Sequence, residues 1–102
     1  MDIIWYGHAC FRIKDRTATI ITDPFDKSIG ISATGLKGDI VTVSHSHPGH
    51  CNVKAVRGNP FVIDGPGEYE VNNVFITGIR SFHDGHSGRE WGKNTIFIFE
   101  ID

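Results

Sequence analysis

Asp39-Ile40-Val41-Thr42-Val43-Ser44-His45-Ser46-His47-Pro48-Gly49-His50 is the stretch from which the rest of the chain is read. An apolar run of strand length leads directly into three imidazoles. Imidazole stays neutral near pH 7 and offers a nitrogen lone pair, so it is the commonest protein ligand for zinc and suits iron and nickel. On an extended segment, side chains two apart point the same way. His45 and His47 can therefore hold one ion together. His50, past the turn at Pro48-Gly49, approaches from another side and can reach a second ion. A histidine-rich tract can also be an affinity tag or a solvated loop, but tags sit at termini and lack an apolar strand leading into them.

Outward from this stretch, nearly every segment reads as strand. Ile3-Ile4-Trp5-Tyr6, Cys10-Phe11-Arg12-Ile13 and Thr17-Ala18-Thr19-Ile20-Ile21-Thr22 are rich in β-branched and aromatic residues. Turns at Gly7 and Lys14-Asp15-Arg16 separate them, which predicts an antiparallel meander. Asp23-Pro24 ends the third strand, because proline cannot continue a ladder. After the histidines, Asn52 to Arg57 carries apolar positions at helical spacing and is closed by Gly58, which predicts one short helix. Pro60-Phe61-Val62-Ile63 returns to strand, Gly65-Pro66-Gly67 is a tight turn, and Val71 to Ser81 and Asn94 to Ile101 are two further strands.

The composition excludes several classes. A chain of 102 residues, 39% of them hydrophobic, makes one small domain or part of a larger one, with enough apolar material for a core without disulfides. Ten basic residues stand against twelve acidic ones, a formal net charge of -2, and no basic cluster appears along the chain. Nucleic-acid binding is disfavoured. No apolar stretch is long enough to span a membrane. The two cysteines, Cys10 and Cys51, make no disulfide framework, and Met1-Asp2-Ile3 leads straight into a strand, so a reducing cytoplasmic setting is expected. Thiolate also binds zinc, but for Cys51 a small buried residue opening a helix is the preferred reading.

The spacing His-x-His-x-x-His over residues 45–50 resembles the signature of the metallo-β-lactamase superfamily, and the likeness extends further. Trp5-Tyr6-Gly7-His8-Ala9-Cys10-Phe11, Thr22-Asp23-Pro24-Phe25, Phe61-Val62-Ile63-Asp64-Gly65-Pro66-Gly67-Glu68-Tyr69 and Ser81-Phe82-His83-Asp84 are similar to the small metal-dependent hydrolases related to ascorbate-6-phosphate lactonase. The resemblance implies an α/β fold, an αββα sandwich with a metal site at one edge of the two sheets. This chain would supply the β-rich N-terminal half, mostly antiparallel sheet with one short helix, over residues 1–102. It further implies that His45 and His47 bind one metal together with His83, that His50 serves a second, and that Asp23 holds an imidazole N–H from behind. Asp23 is equally suited to initiate a turn before proline, and the two roles are compatible. His8 is placed near the metal edge, with a hydrogen-bonded turn residue as the alternative, and His86 is read as a solvated loop residue. The expected cofactor is zinc, as one or two divalent ions, with manganese or iron as substitutes.

Two departures bear on activity. The family carries an aspartate just before the last histidine of the signature, where this chain has Gly49, which supplies no ligand. The family's bridging aspartate and final histidine lie in a C-terminal half. Two functions are therefore expected to compete. One is a hydrolase using metal-activated water on a small-molecule ester, lactone, amide or phosphoester. The other is a non-catalytic metal-binding or assembly module that forms a homo-oligomer through the end strand Thr95 to Ile101 and an inner face carrying Ile4, Phe11 or Ile20.

Overall fold

The computed structural model describes residues 1–7, 9–24, 36–44, 53–82 and 93–101. Among these described residues, eight strands make two sheets. β1 (Asp2–Gly7), β2 (Cys10–Lys14), β3 (Thr19–Thr22), β4 (Ile40–Thr42) and β5 (Phe61–Ile63) form a five-stranded sheet in that order. β6 (Gly67–Val71), β7 (Val74–Phe82) and β8 (Lys93–Glu100) form a three-stranded one. The first three strands are the antiparallel meander that the sequence predicts. β4 and β5 then add in parallel, so the larger sheet is mixed.

Alternation along the strands decides where the core lies. Ile13, Ile20 and Ile40 are register partners across β2, β3 and β4 and share one face. That face packs on the three-stranded sheet, whose Val74, Ile76, Tyr69, Phe97 and Phe99 complete the cluster. The next residue along each strand points to the other face, where Ile21 and Val41 meet Cys10, Val43, Leu36 and Val56. The centre of the larger sheet is thus covered on both sides by the chain itself. Of the residues expected on the face left for a second copy, Ile20 is covered within the chain, 1% exposed, whereas Ile4 and Phe11 are 40% and 38% exposed. Register also separates the residues expected to share that face. Phe11 pairs with Trp5 and Thr22, whereas Ile4 pairs with Arg12 on the opposite side.

Two further expectations change. The segment read as a short helix has one turn of 3₁₀ helix, Val53–Ala55. At Arg57 the chain already pairs with Lys37, which leaves too few residues for an α-helix. Val71 to Ser81 is not one strand. It breaks at Asn72 and Asn73, with φ of 50° and 64°, and Val71 pairs with Val74 across a two-residue hairpin turn. Both central residues of such a turn take positive φ, which asparagine tolerates better than most residues.

Candidate metal centre

Strand direction brings one end of each sheet to a common edge. The parallel strands β3 and β4 finish side by side at Thr22 and Thr42. The turn between β1 and β2 lies beside them, because Thr22 Oγ1 donates to the Ala9 carbonyl at 2.9 Å and accepts the Phe11 N–H at 3.0 Å. The smaller sheet arrives at the same place: the Thr95 N–H near the start of β8 donates to the Ser44 carbonyl at 2.8 Å, and β8 there pairs with the end of β7.

Asp23 organises this edge. Its carboxylate is buried, with Oδ1 accepting the Ser44 N–H at 2.7 Å and Oδ2 accepting the Ser44 hydroxyl at 2.8 Å. Its own N–H donates to the Thr42 carbonyl at 2.8 Å. Asp23 holds φ at 40°, a conformation that non-glycine residues seldom take, and these bonds hold it there. Ser44 is consequently gripped from three sides, by both oxygens of Asp23 and by Thr95. It is the residue immediately before His45.

Cys10 lies in the same neighbourhood and is fully buried as a free thiol. Burial, and then the Asp23 carboxylate, push its pKa up from 9.0 to about 11. It is un-ionised at neutral pH, which suits packing rather than nucleophilic chemistry.

His8, His45, His47, His50, His83 and His86 lie outside the described residues, as do Gly49 and Cys51. The described backbone nevertheless gathers their flanks. Gly7 precedes His8, Ser44 precedes His45 and Phe82 precedes His83, and all three flanking positions belong to the one edge. Of the expected site residues, Asp23 alone is described, and both of its carboxylate oxygens accept hydrogen bonds from Ser44. No group of three histidine, cysteine or acidic residues able to hold a metal occurs among the described residues. Sequence reasoning missed Ser44 and Thr22, whose hydroxyls pin the strand ends. Their only signal was a small polar residue at the close of an apolar run.

The chain belongs to the β-lactamase superfamily domain family, whose model matches residues 2–102. A crystal structure of a metallo-β-lactamase superfamily protein from Thermotoga maritima superposes with a TM-score of 0.73 at 46% identity, over 96% of this chain and 43% of that one. The chain therefore has the fold of the N-terminal half of a metallo-β-lactamase domain. Curated relatives named as metal-dependent hydrolases include one from Thermoplasma acidophilum, 37% identical over 54 residues, and one from Thermoplasma volcanium, 41% identical over 53. These alignments take in about half of this chain and about a quarter of each relative, 24% and 23%.

Proposed function

We propose that this chain carries the histidine-bearing part of the metal centre of a metal-dependent hydrolase acting on an ester, lactone, amide or phosphoester. The observation that supports it best is the hold of Asp23 on Ser44, directly before His45. A carboxylate buried at a strand end, in a strained conformation, is what a metal-binding imidazole needs behind it to set its tautomer and direction. His45, His47 and His83 would hold one divalent ion, His50 a second, and Asp23 and His8 would support them. Zinc suits this donor set, and manganese or iron would substitute. A bound ion of this kind supplies a Lewis acid and a water nucleophile at neutral pH. The described residues contribute rigidity: Asp23 and Thr95 fix the point at which the chain leaves β4, and Thr22 holds the β1–β2 turn against it.

Gly49 offers no side chain for a second ion or for orienting water, so turnover by the 102-residue chain alone should be weak or absent. About one zinc-like ion per chain is expected after dialysis, falling at least ~10-fold in His47→Ala. Equal metal content in the two proteins would sink the proposal. Metal-dependent hydrolysis of generic phosphodiester or lactone substrates, lost in His45→Ala, would show that the chain alone is catalytically competent.

The second reading is an assembly module, and the outer face of the smaller sheet supports it. Phe75, Ile79, Ile96 and Ile98 are each about half exposed there, and Ile79 and Ile96 are direct cross-strand partners. A contiguous apolar surface of this kind favours association. The proposed homo-oligomer would use this face rather than the one lined by Ile20.

A further inference from the structure

We infer that the end of the five-stranded sheet opposite the candidate metal centre is a binding pocket for a phosphorylated small molecule. β3 and β4 run parallel, so their far ends, at Thr19 and Asp39, are the ends remote from Asp23 and Ser44. There a pocket of about 350 Å³ is lined by Arg12, Lys14 and Lys37, with Asp39, Gly38 and Gly58. The volume is in the range that holds small ligands. The sequence shows no basic cluster, because the three cations come from two separated segments. Arg12 and Lys14 alternate onto one face of β2, and Lys37 is brought over by its bridge to Arg57.

Exposed lysines alone would be an ordinary solvated surface. Arg12 makes the difference. Its Nε is buried and has no hydrogen-bond partner among the described residues. A buried guanidinium N–H without an acceptor is unfavourable unless something supplies one. Among the described residues Asp39 is the one carboxylate in the lining, and its Oδ2 already accepts the Thr19 N–H at 2.9 Å. Among the described lining residues, three cations against one anion leave a surplus of two positive charges, in a chain of net charge -2.

The floor is also fixed in shape. Gly58 has φ of 96°, and a Cβ there would lie 2.9 Å from the Gly38 carbonyl oxygen. The two backbones touch, which holds Lys37 beside the strand ends. A phosphoryl group matches this lining: it carries nearly two negative charges and three strong acceptor oxygens, and guanidinium and ammonium groups are its usual partners. The overall negative charge and the small volume favour a small metabolite over a nucleic-acid strand.

The test is titration of the dialysed, metal-free chain with inorganic phosphate and then pyrophosphate at constant ionic strength, followed by amide chemical shifts. Saturable shifts are expected at Lys37, Gly38 and Gly58. Affinity should fall about 10-fold in Arg12→Gln and in Lys37→Ala and stay unchanged in His47→Ala, which separates this pocket from anion binding at the metal edge. Lys37 is exposed, so its replacement keeps the test decisive if Arg12→Gln fails to fold. Shifts that do not saturate, shifts confined to the surroundings of Asp23 and Ser44, or an affinity unaltered in Lys37→Ala would overturn the inference.

Discussion

Asp23 holds a strained backbone in place with the same hydrogen bonds that fix the start of the histidine stretch. Replacing it by alanine leaves the Ser44 N–H without its acceptor, at a cost of about 1–3 kcal/mol. If the carboxylate also supports an imidazole, metal affinity should fall about 10- to 100-fold. Urea denaturation and zinc titration of Asp23→Ala measure the two effects separately. An unchanged zinc affinity would confine Asp23 to a structural part.

Cys10 makes a pH-dependent prediction at the same scale. Its folded pKa, about 11, is above the 9.0 of an exposed thiol. Between those values the unfolded chain has lost the proton and the folded chain retains it. The thiol's contribution is therefore fully present below pH 9 and is lost as pH rises toward 11. The loss should be on the order of 2 kcal/mol. The slope of stability against pH should be compared with that of Cys10→Ala, in which this component should vanish.

Among the elements, the β6–β7 hairpin is the most informative, because one dipeptide separates two strands that would otherwise read as one. Asn72 and Asn73 both sit at positive φ. Asn73→Gly should stabilise the chain by a few tenths to about 1 kcal/mol, and the double variant Asn72→Ala, Asn73→Ala should destabilise it by about 1–2 kcal/mol. Thermal melts of the two variants would check the order, and a reversal would mean that the turn is not held in this conformation. The neighbouring turn is held by a side chain: the Tyr69 hydroxyl faces the carbonyl oxygens of Gly65 at 3.0 Å and Pro66 at 3.2 Å. Gly78 on β7 leaves room for that turn, since a Cβ there would lie 2.9 Å from the Gly65 carbonyl oxygen.

For the whole molecule, the decisive interface is internal. The isoleucine row of the larger sheet and the aromatic row of the smaller one make a two-sheet core within a single chain. Ile76→Ala should cost about 2–5 kcal/mol, because Ile76 is fully buried between the sheets. Among the described residues no helix is long and apolar enough to cross a membrane. The outer face of the smaller sheet, with Phe75, Ile79, Ile96 and Ile98 about half exposed, is the surface proposed for association between copies of the chain. Sedimentation at micromolar concentration should show association that the double variant Ile96→Lys, Ile98→Lys reduces. Equal sedimentation of parent and variant would exclude that face.

Most strands and the breaks at Asp23-Pro24 and Gly65-Pro66-Gly67 were legible in the sequence, because alternation and turn residues are local signals; the candidate ligands read from histidine spacing lie outside the described residues. The family likeness was legible from local signals too. Strand order and direction were not: nothing local in Ile40-Val41-Thr42 says that it adds in parallel beside Ile20-Ile21-Thr22, since that pairing depends on how the intervening chain crosses over. The hairpin at Asn72-Asn73 was written in the sequence but masked by the apolar residues on either side. Only the tertiary structure decided which face each residue occupies, because a one-residue change of register exchanges the two faces. It thereby put Ile20 inside and Ile4 on the opposite side, tied Asp23 to Ser44, and drew Arg12, Lys14 and Lys37 into one pocket.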